Sequence, residues 1–369
     1  MQSHPFLDSL PWMRTPLELG PVRDAMRELG NPQGKYKIIH VTGTKGKGST
    51  AAMAANGLTH CGLYTSPHLK DINERIQIDN VPISDAELNN YLERVKPLVK
   101  KHSLSYFEAL TAAAFLYFAD KKCDYAVVEV GMGGRLDATN VCKGIVNIIT
   151  NIDFDHTEIL GDTIAAIARE KAGIIKGGIV VTGETKPEAL KVIAEACERN
   201  KATLIPAKRR SFKLALEGDF QQDNAACAYE ALRAIGLGES EARRAVETAL
   251  WPGRLDRRGN ILYDCAHNAL SIAALAGYLR GRKFELVFGM KADKDYEQCA
   301  ALIAPLATRV IVTQYSLGPD PLPAEKLAAA VKKHSKSVVV VPDPKAALAA
   351  ARGFTVVAGS SYLVGELLP

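Results

Sequence analysis

The chain is predicted to be an α/β protein made of two units, a mostly parallel-sheet domain over residues 1–253 and a smaller doubly wound α/β domain over 254–369. Three observations predict this. Short β-branched runs alternate with longer Ala/Leu/Glu/Lys-rich stretches, which is the rhythm of βαβ units and a parallel sheet. The first of those runs, beginning at Lys37, empties through a glycine-lysine loop into a helical stretch. The rhythm then breaks once, at Trp251-Pro-Gly-Arg254, where Pro252 and Gly253 punctuate a helix end before a fresh strand begins. A length of 369 residues is also more than one ordinary domain requires.

In the first unit, strands are expected at Ile38 to Val41, Tyr125 to Val130, Ile145 to Ile149 and Ile179 to Thr182, each a short β-branched run. Helices are expected over Ser49 to His60, Asp85 to Lys100, Phe107 to Ala119, Thr163 to Lys171 and Lys186 to Arg199. In the second unit the expected strands are Ile261 to Tyr263, Glu285 to Phe288, Arg309 to Thr313, Ser337 to Val341 and Phe354 to Val357, separated by alanine-rich helices. Pro319 to Pro323 is read as a loop, and no fixed-period repeat or low-complexity tract stands out.

Composition narrows the function classes. With 47% hydrophobic and 24% charged residues the chain reads as ordinary globular material. The stretch Met1 to Arg14 has Pro5, Asp8 and Pro11 and no basic region leading into an apolar core, and no apolar run is long enough to span a bilayer. A cytoplasmic protein without a membrane partner is expected. The seven cysteines are scattered and form no CxxC pair, so buried reduced thiols are expected rather than a disulfide framework or a zinc site. A net charge of +5 is mild, and the one tight cluster, Lys208-Arg209-Arg210, lacks interleaved aromatics. It is read as a solvated face, with no nucleic-acid partner.

The loop Gly43-Thr-Lys-Gly-Lys-Gly-Ser-Thr50 makes the first domain a phosphate-loop domain. Glycines let the backbone approach phosphate oxygens, N–H groups and the helix dipole converge on the anion, and Lys47 adds a point charge. It departs from a plain Walker A loop, because Gly48 separates Lys47 from Ser49. Further candidates follow strand ends, where open α/β sheets bind ligands. Glu129 precedes a glycine turn and suits Mg²⁺ as a hard oxygen ligand, or else pairs with a lysine at the sheet rim. Asp153, Asp155 and His156 form a polar group that suits metal binding or orientation, with Asp155 also read as a helix cap. Lys171 before Gly173 reads as a helix C-terminus. Asp264, Cys265 and His267 could be arranged as a nucleophilic triad, but a substrate or phosphate contact fits better, with Asn268 able to cap the next helix.

Taken together, the motifs resemble the folylpolyglutamate synthase and dihydrofolate synthase family of the Mur ligase superfamily. They are HVTGTKGKGST at 40–50, YTSPHL at 64–69, INERI at 72–76, FEALTAAAF at 107–115 and EVGMGGRLDATN at 129–140. TNIDFDHTEILGDT at 150–163, EKAGIIK at 170–176, WPGR at 251–254, DCAHN at 264–268 and SYLVGE at 361–366 continue the series over nearly the whole chain. The chain departs from the pattern in Met132, where leucine is usual, in Cys265, where glycine is usual, and in being shorter than many relatives.

The resemblance implies an ATP-binding first domain, a glutamate-ligase second domain, and ATP-dependent ligation of L-glutamate to a pterin or folate acid through an acyl phosphate. By that likeness Gly43, Thr44, Gly46, Lys47, Gly48, Ser49 and Thr50 hold the phosphates, and Ser66, Glu129 and His156 ligate one Mg²⁺. A carbamylated Lys171 would support a second, and with Lys47, Glu129 and His156 it completes the implied catalytic set. Asn224 corresponds to an adenine-side asparagine, and Arg254, Asp264 and His267 to inter-domain nucleotide and glutamate contacts. A monomer is expected. The alternatives are a sibling ligase acting on another pterin or on a deazaflavin cofactor, and a P-loop kinase or switch ATPase, which has no reason to carry DCAHN or EKAGIIK.

Overall fold

β1 (Lys37–Thr42) shows why the first sheet forms: one exposed lysine is followed by five buried residues, the unbroken buried run of a strand covered on both faces. The computed structural model describes residues 4–369, so Met1, Gln2 and Ser3 of the N-terminal stretch lie outside the described residues. The first sheet adds β2 (Cys61–Tyr64), β3 (Ile76–Ile78), β4 (Val81–Pro82), β5 (Tyr125–Glu129), β6 (Val146–Ile149), β7 (Ile179–Thr182) and β8 (Thr203–Pro206). Its order is β4-β3-β2-β5-β1-β6-β7-β8, parallel except for the β2-β3-β4 edge. The two faces alternate along each strand. Ile38, Ala126 and Val128 pack with the helices Asp85–His102 and Tyr106–Asp120. Ile39, Val41 and Val127 pack with Lys47–Ala55, Gln221–Ala234 and Glu239–Thr248. Each such buried aliphatic side chain contributes about 1.5–3 kcal/mol.

The second sheet contains β9 (Asp256–Arg258), β10 (Ile261–Tyr263), β11 (Glu285–Phe288), β12 (Arg309–Val312), β13 (Val338–Val340) and β14 (Thr355–Ala358). Its order is β13-β12-β11-β14-β10-β9, with only β9 antiparallel, and apolar clusters cover both faces. Leu69, from the first domain, packs into one of these clusters beside Leu363 and Val364. Among the described residues no helix is long and apolar enough to cross a membrane.

Several expectations need correction. The helix expected over Ser49 to His60 runs Lys47–Ala55, and residues 61–64 are the unanticipated β2 in mid-sheet. β3, β4, β8 and β9 and the helices Gln221–Ala234 and Glu239–Thr248 were not anticipated either. Strands of two to four residues carry too little periodicity to be read alone. Lys208, Arg209 and Arg210 are exposed as expected, Arg210 pairing with Glu230 at 2.9 Å.

Candidate active site

β1 lies between β5 and β6, and the chain leaves it toward β2 on one side before returning to β6 on the other. That reversal opens a crevice at the strands' C-terminal ends, and the glycine-lysine loop sits in it. Gly43 has φ 149°, and a Cβ there would lie 1.8 Å from Thr150 Oγ1. The loop is stitched to the segment after β6. Thr44 N–H donates to Asn151 O (2.8 Å), Thr44 Oγ1 to Asp153 O (3.1 Å), Lys45 N–H to Asn151 Oδ1 (3.0 Å) and Thr150 Oγ1 to Lys45 O (2.6 Å). Thr44 is therefore a brace, its own donors already used.

Gly46 at φ 80° caps the helix, and the first helical bond runs from Thr50 N–H to Gly46 O at 2.9 Å. The N–H groups of Gly46, Lys47, Gly48 and Ser49 thus precede the helical ladder, and none has an acceptor among the described residues. They form an anion cradle. Thr50 is fully buried instead of facing the cavity, and its hydroxyl has no partner. The additional glycine has a packing reason: a Cβ on Gly48 would come within 3.1 Å of the Trp251 indole nitrogen. Asn224 also stands against this loop, its Oδ1 2.0 Å from where a Cβ on Gly46 would fall. Lys47 Nζ donates to Gly43 O at 3.1 Å.

Glu129 ends β5 with 4% exposure, and its Oε2 accepts the Ser66 N–H at 3.0 Å. Burial pushes its carboxyl up, opposed chiefly by the Lys47 charge. It has no ion-pair partner among the described residues, so the alternative of a rim pair with lysine is not realised. Lys171, 3% exposed, donates from Nζ to Gly43 O at 2.9 Å, beneath the loop rather than on the cavity wall. Burial first and the Lys47 charge second push its amine down to about 7.

His156, not Asp155, occupies the cap of the short helix Thr157–Leu160, and no side chain caps it. The expected Asp155 cap is therefore corrected: Asp155 lines the cavity and lies 3.8 Å from the half-exposed His156 ring. No group of three or more His, Cys, Asp or Glu side chains converges on a metal position among the described residues. A buried carboxylate without an ion-pair partner, a serine and an imidazole on one cavity still fit a hard divalent cation that completes its shell with phosphate oxygens.

The second domain supplies the facing wall. Asp264 Oδ2 accepts Leu255 N–H and its Oδ1 accepts Ala266 N–H, each at 2.9 Å, so its carboxylate fixes the turn after β10. His267 Nδ1–H donates to Cys265 O at 2.8 Å, leaving Nε2 toward the cavity, and burial pushes the imidazole down. Cys265 is buried with its thiol pushed up to about 12, which removes the triad reading. Asn268 caps Ala269–Leu279 as expected.

Between the domains lies a cavity of about 790 Å³, bounded by the loop, Glu129, His156, Asn224, Arg254 and His267. Its wall also includes Phe107 of the FEALTAAAF stretch and four residues to which the sequence reading assigned no role, Trp12, Arg14, Arg75 and Asp137. Arg75 is 2% exposed, donates from Nε to His68 Nδ1 at 2.8 Å, lies 5.3 Å over Trp12, and has an Nη1 without a partner. The only local signal for it was its place in INERI, because its neighbours come from distant segments.

Residues 41–204 match the Mur ligase middle domain, and residues 253–364 the Mur ligase, glutamate ligase domain. The dihydrofolate synthase/folylpolyglutamate synthase of Bacillus subtilis is 35% identical over 339 residues, 78% of this chain and 79% of that one. A folylpolyglutamate synthase structure from Thermotoga maritima superposes with TM-score 0.88 at 35% identity, over 95% of this chain and 92% of that one. The bifunctional folylpolyglutamate synthase/dihydrofolate synthase from Yersinia pestis with Mn, AMPPNP and L-glutamate bound gives TM-score 0.82 at 28% identity, over 98% and 95%. The two matched domains are those of a Mur-type ligase. Within that class, the chain belongs to the folylpolyglutamate synthase/dihydrofolate synthase family.

Proposed function

We infer that this protein adds L-glutamate to the carboxylate of a folate-type acid, using ATP and releasing ADP and phosphate. The observation that carries the reading is one cavity with an anion cradle at one end and, at the other, aromatic rings beside a buried arginine with a free Nη1. The Yersinia pestis relative holds a nucleotide analogue, Mn and L-glutamate, in keeping with a nucleotide at the cradle and an amino-acid acceptor nearby.

A carboxylate is a poor electrophile because oxide would have to leave. Transfer of the γ-phosphoryl group to it gives an acyl phosphate, the glutamate amine attacks the carbonyl carbon, and phosphate departs with the bonding pair. The protein's work is positioning and charge neutralisation. The N–H groups of Gly46 to Ser49 hold the phosphate oxygens, and Lys47 follows charge as it moves to the leaving oxygen. Glu129, Ser66 and His156 would hold one Mg²⁺, which when bound neutralises phosphate charge. Arg75 meets a substrate carboxylate, while Arg254 and His267 approach from the second domain. In this reading the domains divide at 253/254, Asn224 lies on the nucleotide side, and the enzyme is a cytoplasmic monomer with all seven cysteines reduced.

Incubation with MgATP, L-glutamate and either dihydropteroate or tetrahydrofolate, followed by weighing the products, tests the reading. One added glutamyl unit on dihydropteroate marks synthase activity, and a ladder on tetrahydrofolate marks polyglutamylation. Phosphate release without any amine acceptor would instead favour a kinase or switch ATPase, and ligation only to another pterin or a deazaflavin acid a sibling ligase.

Burial lowers the Lys171 amine to about 7, so its neutral form can add to CO₂ with loss of one proton, which would give a carboxylate-like group able to support a second Mg²⁺. Lys171→Ala is expected to lose at least about 10–100-fold in turnover, since removing even a group that only supports a metal's ligands costs that much. A fully active variant would end that role.

A further inference from the structure

We propose that His40, a β1 residue that never reaches the cavity, is a positioning residue that orients the Asp137 carboxylate at the acid-substrate end through Thr139. This deepens the function proposed above and rests on it. Asp137 Oδ1 accepts both the N–H (2.9 Å) and the hydroxyl (2.5 Å) of Thr139, while Oδ2 accepts Met132 N–H at 3.0 Å and faces the cavity. A threonine hydroxyl has one proton. Since that proton goes to Asp137, the oxygen must receive one from His40 Nε2, 2.9 Å away.

His40 is therefore the Nε2–H tautomer, and its Nδ1 faces the Cys142 thiol at 3.7 Å as acceptor. His40 and Thr139 are wholly buried, and burial pushes the imidazole down to about 3, so it stays neutral with one donor and one acceptor nitrogen. The relay runs Cys142 S–H to His40, His40 N–H to Thr139, Thr139 O–H to Asp137. Burial pushes the Asp137 carboxyl up, and its donors, the Thr139 hydroxyl foremost, oppose that and hold an acceptor beside the ring of Phe107. Gly131 leaves room for both groups, since a Cβ there would lie 2.7 Å from Phe107 Cζ and 3.2 Å from Asp137 Oδ2. A carboxylate next to an aromatic face suits a flat heterocycle with N–H groups along one edge.

The test uses Thr139→Val, which keeps volume and loses the hydroxyl, His40→Phe, which loses the donor, and His40→Gln, whose amide places an N–H near the position of Nε2. Thr139→Val and His40→Phe should each raise KM for the acid substrate and weaken its binding in calorimetry without ATP, on the order of ten- to a hundred-fold, as for hydrogen bonds to charged groups. The kcat and the KM for ATP should hold within about twofold, the double variant should be no worse than Thr139→Val, and His40→Gln should be near wild type. The relay is overturned by an unchanged acid KM in Thr139→Val, by His40→Gln as impaired as His40→Phe, or by additive losses. It is equally overturned if all kinetic constants fall together with the melting temperature. A wild-type protein that binds and ligates no pteroate-type acid fails the function reading first, whereas normal wild-type turnover with indifferent variants fails the relay alone.

Discussion

Lys47→Ala is expected to reduce turnover at saturating ATP on the order of 10²–10³-fold, the typical cost of removing one preorganised donor from a developing charge. Lys47 is the cation closest in chemistry to the moving phosphoryl group. It stands in the first helical turn beside four N–H groups that lack acceptors, and its Nζ rests on Gly43 O at 3.1 Å and Thr44 O at 3.4 Å, close enough to swing onto an anion. The same bonds say that folding loses little: two partly exposed hydrogen bonds to carbonyls contribute about 0.5–1.5 kcal/mol each. Turnover should therefore collapse while the melting temperature moves by a few degrees. Loss of the Lys47 charge also removes one of the two causes that hold the Lys171 amine down. Arginine should not rescue, because a planar guanidinium is not a compact point charge. Steady-state kinetics with a thermal melt check this, and a variant retaining wild-type kcat would remove Lys47 from the chemistry.

Gly43→Ala is expected to lose both stability and activity. The new methyl group would sit 1.8 Å from Thr150 Oγ1 and 3.0 Å from Thr150 Cβ, on a backbone at φ 149° that other residues seldom adopt. Either the loop or the end of β6 must move, and the Thr150 bond to Lys45 O at 2.6 Å lies in the path. Overpacking and backbone strain each cost about 1–3 kcal/mol, so a combined loss of about 3 kcal/mol or more is expected. That corresponds to a fall of roughly 6–12 °C in melting temperature for a domain of this size. Activity should fall further than stability alone explains, because the four free N–H groups are aimed by this loop. Adding Thr150→Gly separates the two causes. It should recover the part due to the clash and leave the part due to the dihedral, whereas a Gly43→Ala protein that melts and turns over normally would refute the packing account.

The motifs legible in the sequence share a property: each is a short stretch whose function depends on its own backbone. Gly43 to Thr50 reads as an anion cradle because glycine content and a following helix are local facts, and Asn268 reads as a cap for the same reason. β2 was missed because Cys-Gly-Leu-Tyr has little strand propensity of its own. Gly62 stands there because the Phe118 ring occupies the space where a Cβ would be, 2.6 Å away, which only the assembled sheet reveals. Asp155 was misread as a cap for the converse reason, that an aspartate after a strand has the right chemistry while the chain turned at His156 instead.

By itself the sequence determined the α/β class, the glycine-lysine loop after the first strand and the family likeness, because these are written in contiguous runs and in the order of motifs along the chain. Tertiary structure alone decided that Trp251 packs closely over Gly48, that Lys171 lies under the loop, and that Trp12, Arg75, Phe107 and Asp137 line one cavity. It also decided that His40, Thr139 and Asp137 meet in one hydrogen-bonded line. The physical reason is that hydrogen-bond direction, burial and close approach are properties of pairs of atoms brought together by packing. Residues a hundred positions apart leave no periodic trace of that meeting in the chain.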